Sequence, residues 1–179
     1  MTAARIIPEN SGEEIEHMRT IPKISAPHGI TAIQTPLGPA GIGWRQGTPV
    51  SFIRIYLPGE LPEQHLPASS AHAPHPAKAT ALAACIRRFL SGDAIDFPWE
   101  DFDLGPMNAF QRNTLMLCRQ IPRGRVAAYG HLAERLKAPR AARAVGTAMA
   151  RNPLPLVIPC HRVVRANGDP GRFGGGAAM

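Results

Sequence analysis

The chain has 179 residues, enough for one large domain or two small ones around a buried core. Its 44% hydrophobic content suits a soluble globular protein, and no stretch reaches the roughly 18 apolar residues a membrane helix needs. Met1–Arg19 carries four glutamates and no apolar run, which excludes a secretory signal; a cytoplasmic protein with no membrane partner is expected. Cys85, Cys118 and Cys160 are too scattered for a disulfide framework, and no C-x-x-C pair offers a thiolate zinc site. His72 and His75 lie close together but in a proline-rich stretch; they read as solvated loop residues, and no metal is expected.

Charge is divided unevenly along the chain. Residues 1–107 hold eight Lys/Arg against eleven Asp/Glu, a balance of −3, while residues 108–179 hold twelve against two (Glu134 and Asp169), a balance of +10. A field so one-sided gathers polyanions at the second half, and nucleic acid is the expected partner. A uniformly basic, arginine-rich composition would not leave the first half acidic.

Residues 1–29 mix charges with prolines and read as a weakly ordered extension. From 30 to 57 the pattern predicts short strands at 30–35, 41–44 and 50–57, separated by Gly/Pro turns. Residues 58–76 contain five prolines and read as a loop. Ala81, Leu82, Cys85, Ile86, Phe89 and Leu90 share one helical face over 77–91, closed by Ser91-Gly92. Residues 92–107 form a linker, so the expected division is 30–91, linker, and 108–179.

The second half is more patterned. Asn108–Gln120 predicts a helix with Phe110, Thr114, Leu117, Cys118 and Ile121 in register, so Cys118, like Cys85, reads as a buried core thiol. Tyr129–Leu136 predicts a short helix, Lys137-Ala138-Pro139 a turn, and Arg140–Ala150 a second helix with Pro139 at its first position. The pair makes a helix-turn-helix. The second helix has little bulk (Ala141, Ala142, Ala144, Gly146, Ala148, Ala150), while Arg140 and Arg143 share a face. Such a helix suits either insertion into a DNA groove or close packing in a core. Next comes a turn at 152–155, then Leu156-Val157-Ile158 as a short buried strand that Pro159 stops. Cys160 follows, with His161 and Arg162 beside it. A thiol reacts as thiolate and needs a base or positive surroundings. Chain neighbours often point apart, so both a nucleophile and an inert buried cysteine stay open at this point. A protease would want a distant histidine and an orienting group, and nothing singles out such a set.

The run Pro159-Cys160-His161-Arg162-Val163-Val164 resembles the active-site signature of the O6-alkylguanine-DNA alkyltransferases, the methylated-DNA–protein-cysteine methyltransferases. Phe110-Gln111, Ile121-Pro122-x-Gly124, Tyr129-Gly130-x-Leu132-Ala133, Ala141–Gly146 and Asn152-Pro153-x-Pro155 follow the family pattern in order, over roughly 108–176. The N-terminal half is similar only through Thr35-Pro36-Leu37-Gly38 and the helix before the linker. The resemblance implies an α+β fold: a small RNase H-like N-terminal α/β domain, then a helical winged-helix domain. It implies that the helix-turn-helix enters the minor groove of double-stranded DNA. Arg143 would replace an extruded guanine and Tyr129 would help turn it out, with Arg140, Ala142, Ala144, Gly146 and Arg151 along the DNA. Cys160 would take the alkyl group, His161 would act as base through a water, and Asn152 would brace the turn. Pro155, Val163, Phe173 and Gly174 would line the base pocket. No cofactor is required, each molecule reacts once, and a monomer is expected.

The sequence departs from that pattern at its end. It stops at Met179, where the family continues to a helix and a glutamate that orients the histidine; only Asp169 follows Cys160 as an acid. Phe173 replaces a usual tyrosine, Gly174 a frequent serine, and Asp169-Pro170 is atypical. The alternative function is therefore a lesion-binding protein with weak or no transfer. A winged-helix regulator with an incidental cysteine is a third reading, by fold analogy alone.

Overall fold

A computed structural model describes residues 26–47, 49–63 and 76–171. Three strands, β1 (Gly29–Thr35), β2 (Gly38–Arg45) and β3 (Ser51–Tyr56), form an antiparallel meander in that order. β-Branched residues alternate along β1 and β3, which favours a pleated, half-buried surface. The first turn is tight: Thr35 pairs with Gly38, whose φ of 109° suits glycine alone. A register shift at Gly43/Trp44 lets the Trp44 indole donate to Thr31 Oγ1 at 3.2 Å.

Helix α1 (Ala77–Leu90) covers this sheet through Ala79, Leu82, Ala83 and Ile86. Ala81 faces solvent rather than the core, and Cys85 is only partly buried. The inward stripe thus runs through Ala79 and Ala83, small residues that bring the helix close to the sheet. A segment holding a 3-10 turn at Trp99–Asp101 then returns along β3: Asp103 N–H donates to the Phe52 carbonyl at 2.9 Å.

Helix α2 (Ala109–Arg119) starts at Asn108, whose side chain accepts from Gln111 N–H at 2.8 Å, the expected device for an orphan N-terminal donor. Its Thr114, Leu117 and Cys118 are buried, as their spacing predicts, and Leu115 joins them, while Phe110 is half-buried. The short strand β4 (Ala127–Ala128) leads into α3 (Tyr129–Arg135), and α4 (Ala142–Ala150) packs against α3 and α2. A second short strand, β5 (Val163–Val164), pairs in parallel with β4. Two residues per strand carry too little periodic signal to be read from sequence.

Two further expectations fail here. Helix α4 begins at Ala142, not Arg140, because Ala138 to Ala141 close a separate turn through Ala141 N–H to the Ala138 carbonyl at 2.8 Å. Arg140 therefore sits in that turn, and Pro139 is not the first helical residue. Leu156-Val157 is not a strand but a turn between the bridged residues Pro155 and Ile158, with Leu156 at φ 73°. The segment is apolar because it is buried, and an apolar run alone does not distinguish a buried turn from a strand.

One apolar cluster runs through the described residues, from Ile33, Ile42 and Phe52 on the sheet to Leu115, Leu132, Val145, Val157 and Ile158 beyond it. A backbone bond also crosses from the sheet to the loop after α4: Ile55 N–H donates to the Pro153 carbonyl at 2.8 Å. Of the expected weakly ordered stretch, residues 1–25 lie outside the described residues, while His28 N–H is bonded to the Trp44 carbonyl at 2.9 Å. His72, His75, Phe173 and Gly174 also lie outside them.

Candidate active site

Cys160 opens a 3-10 turn, Cys160–Arg162, directly after Pro159, and is 4% exposed. The loop before it is fixed by a side-chain clamp. Asn152 Nδ2 donates to the Ile158 carbonyl at 2.9 Å, and its Oδ1 accepts from Leu154 N–H at 3.0 Å. Ile158 N–H closes the same loop on the Leu154 carbonyl at 2.9 Å. Beyond the cysteine, Arg162 N–H donates to Pro159 at 2.8 Å, and Arg162 Nη1 reaches the Ile121 carbonyl at the end of α2 at 2.7 Å. The thiol is thus held from both sides by bonds that bypass it.

Burial pushes the Cys160 thiol above its ordinary pKa; the Asn152 side chain and the N–H groups of Cys160 and His161 pull it back, and the charge of Glu60 raises it. The clamp residue therefore also favours the thiolate. His161 is exposed as a residue, yet its ring is desolvated enough, beside the Arg162 charge, to lower its pKa. A neutral imidazole at pH 7 can accept a proton. Among the described residues His161 has no hydrogen bond to the thiol. Cys118 is fully buried, and burial first, then Cys160, pushes it up to about 12, which makes it a core thiol as its register predicts.

Tyr129 opens α3 and lies within electrostatic reach of Cys160, which, after burial, raises its phenol pKa. Its ring rests on Gly146 of α4: a Cβ added there would stand 3.8 Å from Cε1. Its hydroxyl faces Gly171, where an added Cβ would clash with Oη. Cys160, Asn152, Tyr129 and Gly146 therefore form one neighbourhood. Pro155 and Val163 are buried beside it, Pro155 in the clamped turn and Val163 in β5.

Helix α4 buries Val145, Ala148 and Met149 and leaves Arg143, Thr147 and Ala150 exposed. Ala142 and Ala144 are half-buried. Its small residues thus serve both readings, packing inward and a slim outer face. Arg123, Arg125, Arg140, Arg143, Arg151 and Arg165 are all exposed, and among the described residues none is paired with a carboxylate. Three features escaped sequence reasoning: the Arg162 tether, the Ile55–Pro153 bond and the approach of Glu60 to Cys160. Each joins residues distant in the chain and leaves no local signal.

A helix-turn-helix with a clamped, buried cysteine behind it defines a nucleic-acid-binding protein with a thiol site. Residues 109–179 match the family described as 6-O-methylguanine DNA methyltransferase, DNA binding domain. A methylated-DNA–protein-cysteine methyltransferase of Mycobacterium tuberculosis is 31% identical over 144 residues, 80% of this chain and 82% of that protein. One from Methanothermobacter thermautotrophicus is 41% identical over 98 residues; the match spans 55% of this chain and about half, 54%, of that protein. The crystal structure of M. tuberculosis OGT in complex with DNA superimposes with a TM-score of 0.65 at 28% identity, over 82% of this chain and 84% of that one. The chain belongs to the methylated-DNA–protein-cysteine methyltransferase family.

Proposed function

We propose that this chain repairs DNA by moving an alkyl group from O6 of a damaged guanine in duplex DNA to Cys160, once per molecule. The carrying observation is the clamped thiol of Cys160 beside a helix-turn-helix whose outer face is basic. A base inside a duplex hides its O6 substituent from a buried thiol, so the nucleotide must leave the stack. Arg143 fills the vacated space and Tyr129 turns the nucleotide out. Arg140, Arg151, Ala142, Ala144 and Gly146 lie along the groove. His161, neutral at pH 7, takes the thiol proton through a water. The Sγ–carbon bond forms as the carbon–O6 bond breaks, and the electron pair leaves on guanine, which is protonated on release. Asn152 holds the loop, and Pro155 and Val163 line the base pocket. The relatives share the name of a transferase, which favours transfer over lesion binding alone. The working form is a cytoplasmic monomer.

The test is intact mass after incubation with a duplex carrying O6-methylguanine. One methyl adduct on wild type and none on Cys160→Ala is expected; binding without an adduct over hours would sink the proposal. Arg143→Ala should slow duplex repair by roughly tenfold or more while sparing reaction with free alkylguanine, because flipping is needed only in the duplex. Equal losses on both would remove Arg143 from the flipping role.

A further inference from the structure

After β5 the chain doubles back in a short hairpin whose tip, Arg165-Ala166-Asn167-Gly168-Asp169, is exposed throughout. Val164 bridges Pro170, Arg165 N–H donates to the Asp169 carbonyl at 2.8 Å, and Gly168 N–H donates to the Arg165 carbonyl at 2.9 Å. Gly168 takes the left-handed place of this bulged turn, with φ 87°. The Asn167 side chain is held by one neighbour: Nδ2 donates to Asp169 Oδ2 at 2.7 Å, and Oδ1 accepts from Asp169 N–H at 3.2 Å.

Asparagine is thermolabile, and a following glycine makes it more so. The Gly168 nitrogen can close a ring on the Asn167 side-chain carbonyl, because glycine has no Cβ to hinder the approach. The Asp169 N–H on Oδ1 polarises the carbon to be attacked. Gly168 N–H must first leave the Arg165 carbonyl, which needs only the exposed tip to fray; Pro170 offers the stem no N–H.

We propose that Asn167 is a site of spontaneous deamidation, and that its conversion weakens binding of the helical half to DNA. The Gly168 nitrogen bonds to Asn167 Cγ and gives up its proton; the Cγ–Nδ2 bond breaks, and ammonia leaves with that proton. Water then opens the cyclic imide at either carbonyl, leaving aspartate or isoaspartate. The new charge lies two residues from Arg165, in a half whose acids are Glu134 and Asp169 alone. It also sets a carboxylate against Asp169 where a donor had stood, and like charges at that range repel. The same hairpin leads to Gly171, which the Tyr129 hydroxyl faces, so the charge enters beside the helix-turn-helix. The effect on DNA rests on the proposed function; the chemistry at Asn167 does not.

Peptide mapping by mass, on the full chain held for weeks in mildly alkaline buffer, tests the modification. Aspartate and isoaspartate at position 167 are expected, formed faster as hydroxide rises and several-fold more slowly in Gly168→Ala. An intact Asn167, after a free peptide of residues 163–171 has converted, would overturn the site, and so would an equal rate in Gly168→Ala. Asn167→Asp reproduces one product. Its affinity for undamaged duplex at low salt should be several-fold weaker than wild type, the gap closing as salt rises. Asn167→Ala loses the same side-chain bonds without gaining charge and should bind as wild type does. Equal affinity of Asn167→Asp and wild type would overturn the consequence, as would an equal loss in Asn167→Ala. A wild-type chain that binds no duplex would instead remove DNA binding itself, and the consequence with it.

Discussion

At the scale of single residues, the reactivity of Cys160 is set by a contest between burial and local donors. Burial favours the thiol; Asn152 and two backbone N–H groups favour the thiolate; Glu60 opposes them. Glu60 is held in the turn after β3, where its carboxylate accepts from Leu57 N–H at 3.0 Å. Removing its charge by Glu60→Gln should move the pH–rate profile of alkyl transfer to lower pH, read by single-turnover rates between neutral and alkaline pH; an unmoved profile would dismiss Glu60 as an influence. Gly171→Ala places a methyl group on the Tyr129 hydroxyl, so the ring must swing off Gly146. Duplex repair should fall several-fold while thermal stability changes little, and an unchanged rate would show that Tyr129 need not hold its position. Cys118 titrates at about 12 in the fold against an ordinary 9.0. Its folded pKa is raised, so its contribution is complete below the ordinary value and is lost as pH climbs toward the folded one. Denaturant titrations should show stability falling through that alkaline window, less steeply in Cys118→Ala.

At the scale of elements, the helix-turn-helix is built from local backbone bonds. Helix α3 ends with Ala138 N–H on the Ala133 carbonyl and Lys137 N–H on the Glu134 carbonyl, both 2.9 Å, and Lys137 at φ 57°. This is the glycine position of a Schellman ending, filled here by a residue with a Cβ. Lys137→Gly should stabilise the fold by about 0.5–1 kcal/mol, seen as a higher midpoint in urea, because the left-handed conformation costs glycine nothing. A lower midpoint would mean that the contacts of the Lys137 side chain outweigh the backbone strain. The loop from Asn152 to Pro159 carries a second left-handed residue, Leu156, whose conformation costs of order 1–3 kcal/mol and is held by the Asn152 clamp. Asn152→Ala should destabilise the chain by about 1–3 kcal/mol through unpaired carbonyl and N–H groups and slow transfer by freeing the loop. A variant with unchanged stability and rate would show that the loop holds itself.

At the scale of the molecule, the sheet and the helices share one apolar cluster and are joined by the Ile55–Pro153 bond. Scanning calorimetry should therefore show a single cooperative transition; two separate ones would mark independent domains. The charge division has its own consequence at this scale. The exposed arginines gather on the helical half, so affinity for undamaged duplex should fall steeply and log-linearly with salt.

Much of this was legible in the chain itself. Strands and helices followed from period and turn chemistry, the core register of Cys118 from helical spacing, and the reactive loop from a run of residues that occurs in family order. Those are properties of neighbours within one or two turns, which local sequence controls. The start of α4 and the turn at Leu156-Val157 were misread because a short apolar run or a proline permits more than one local conformation. Tertiary packing alone decided the rest: that Arg162 ties the loop to α2, that the Gly171 backbone lies against Tyr129, and that Glu60 from the far half approaches the thiol. Each is a contact between segments that the chain brings together only on folding, and its energy depends on distances that no spacing along the sequence encodes.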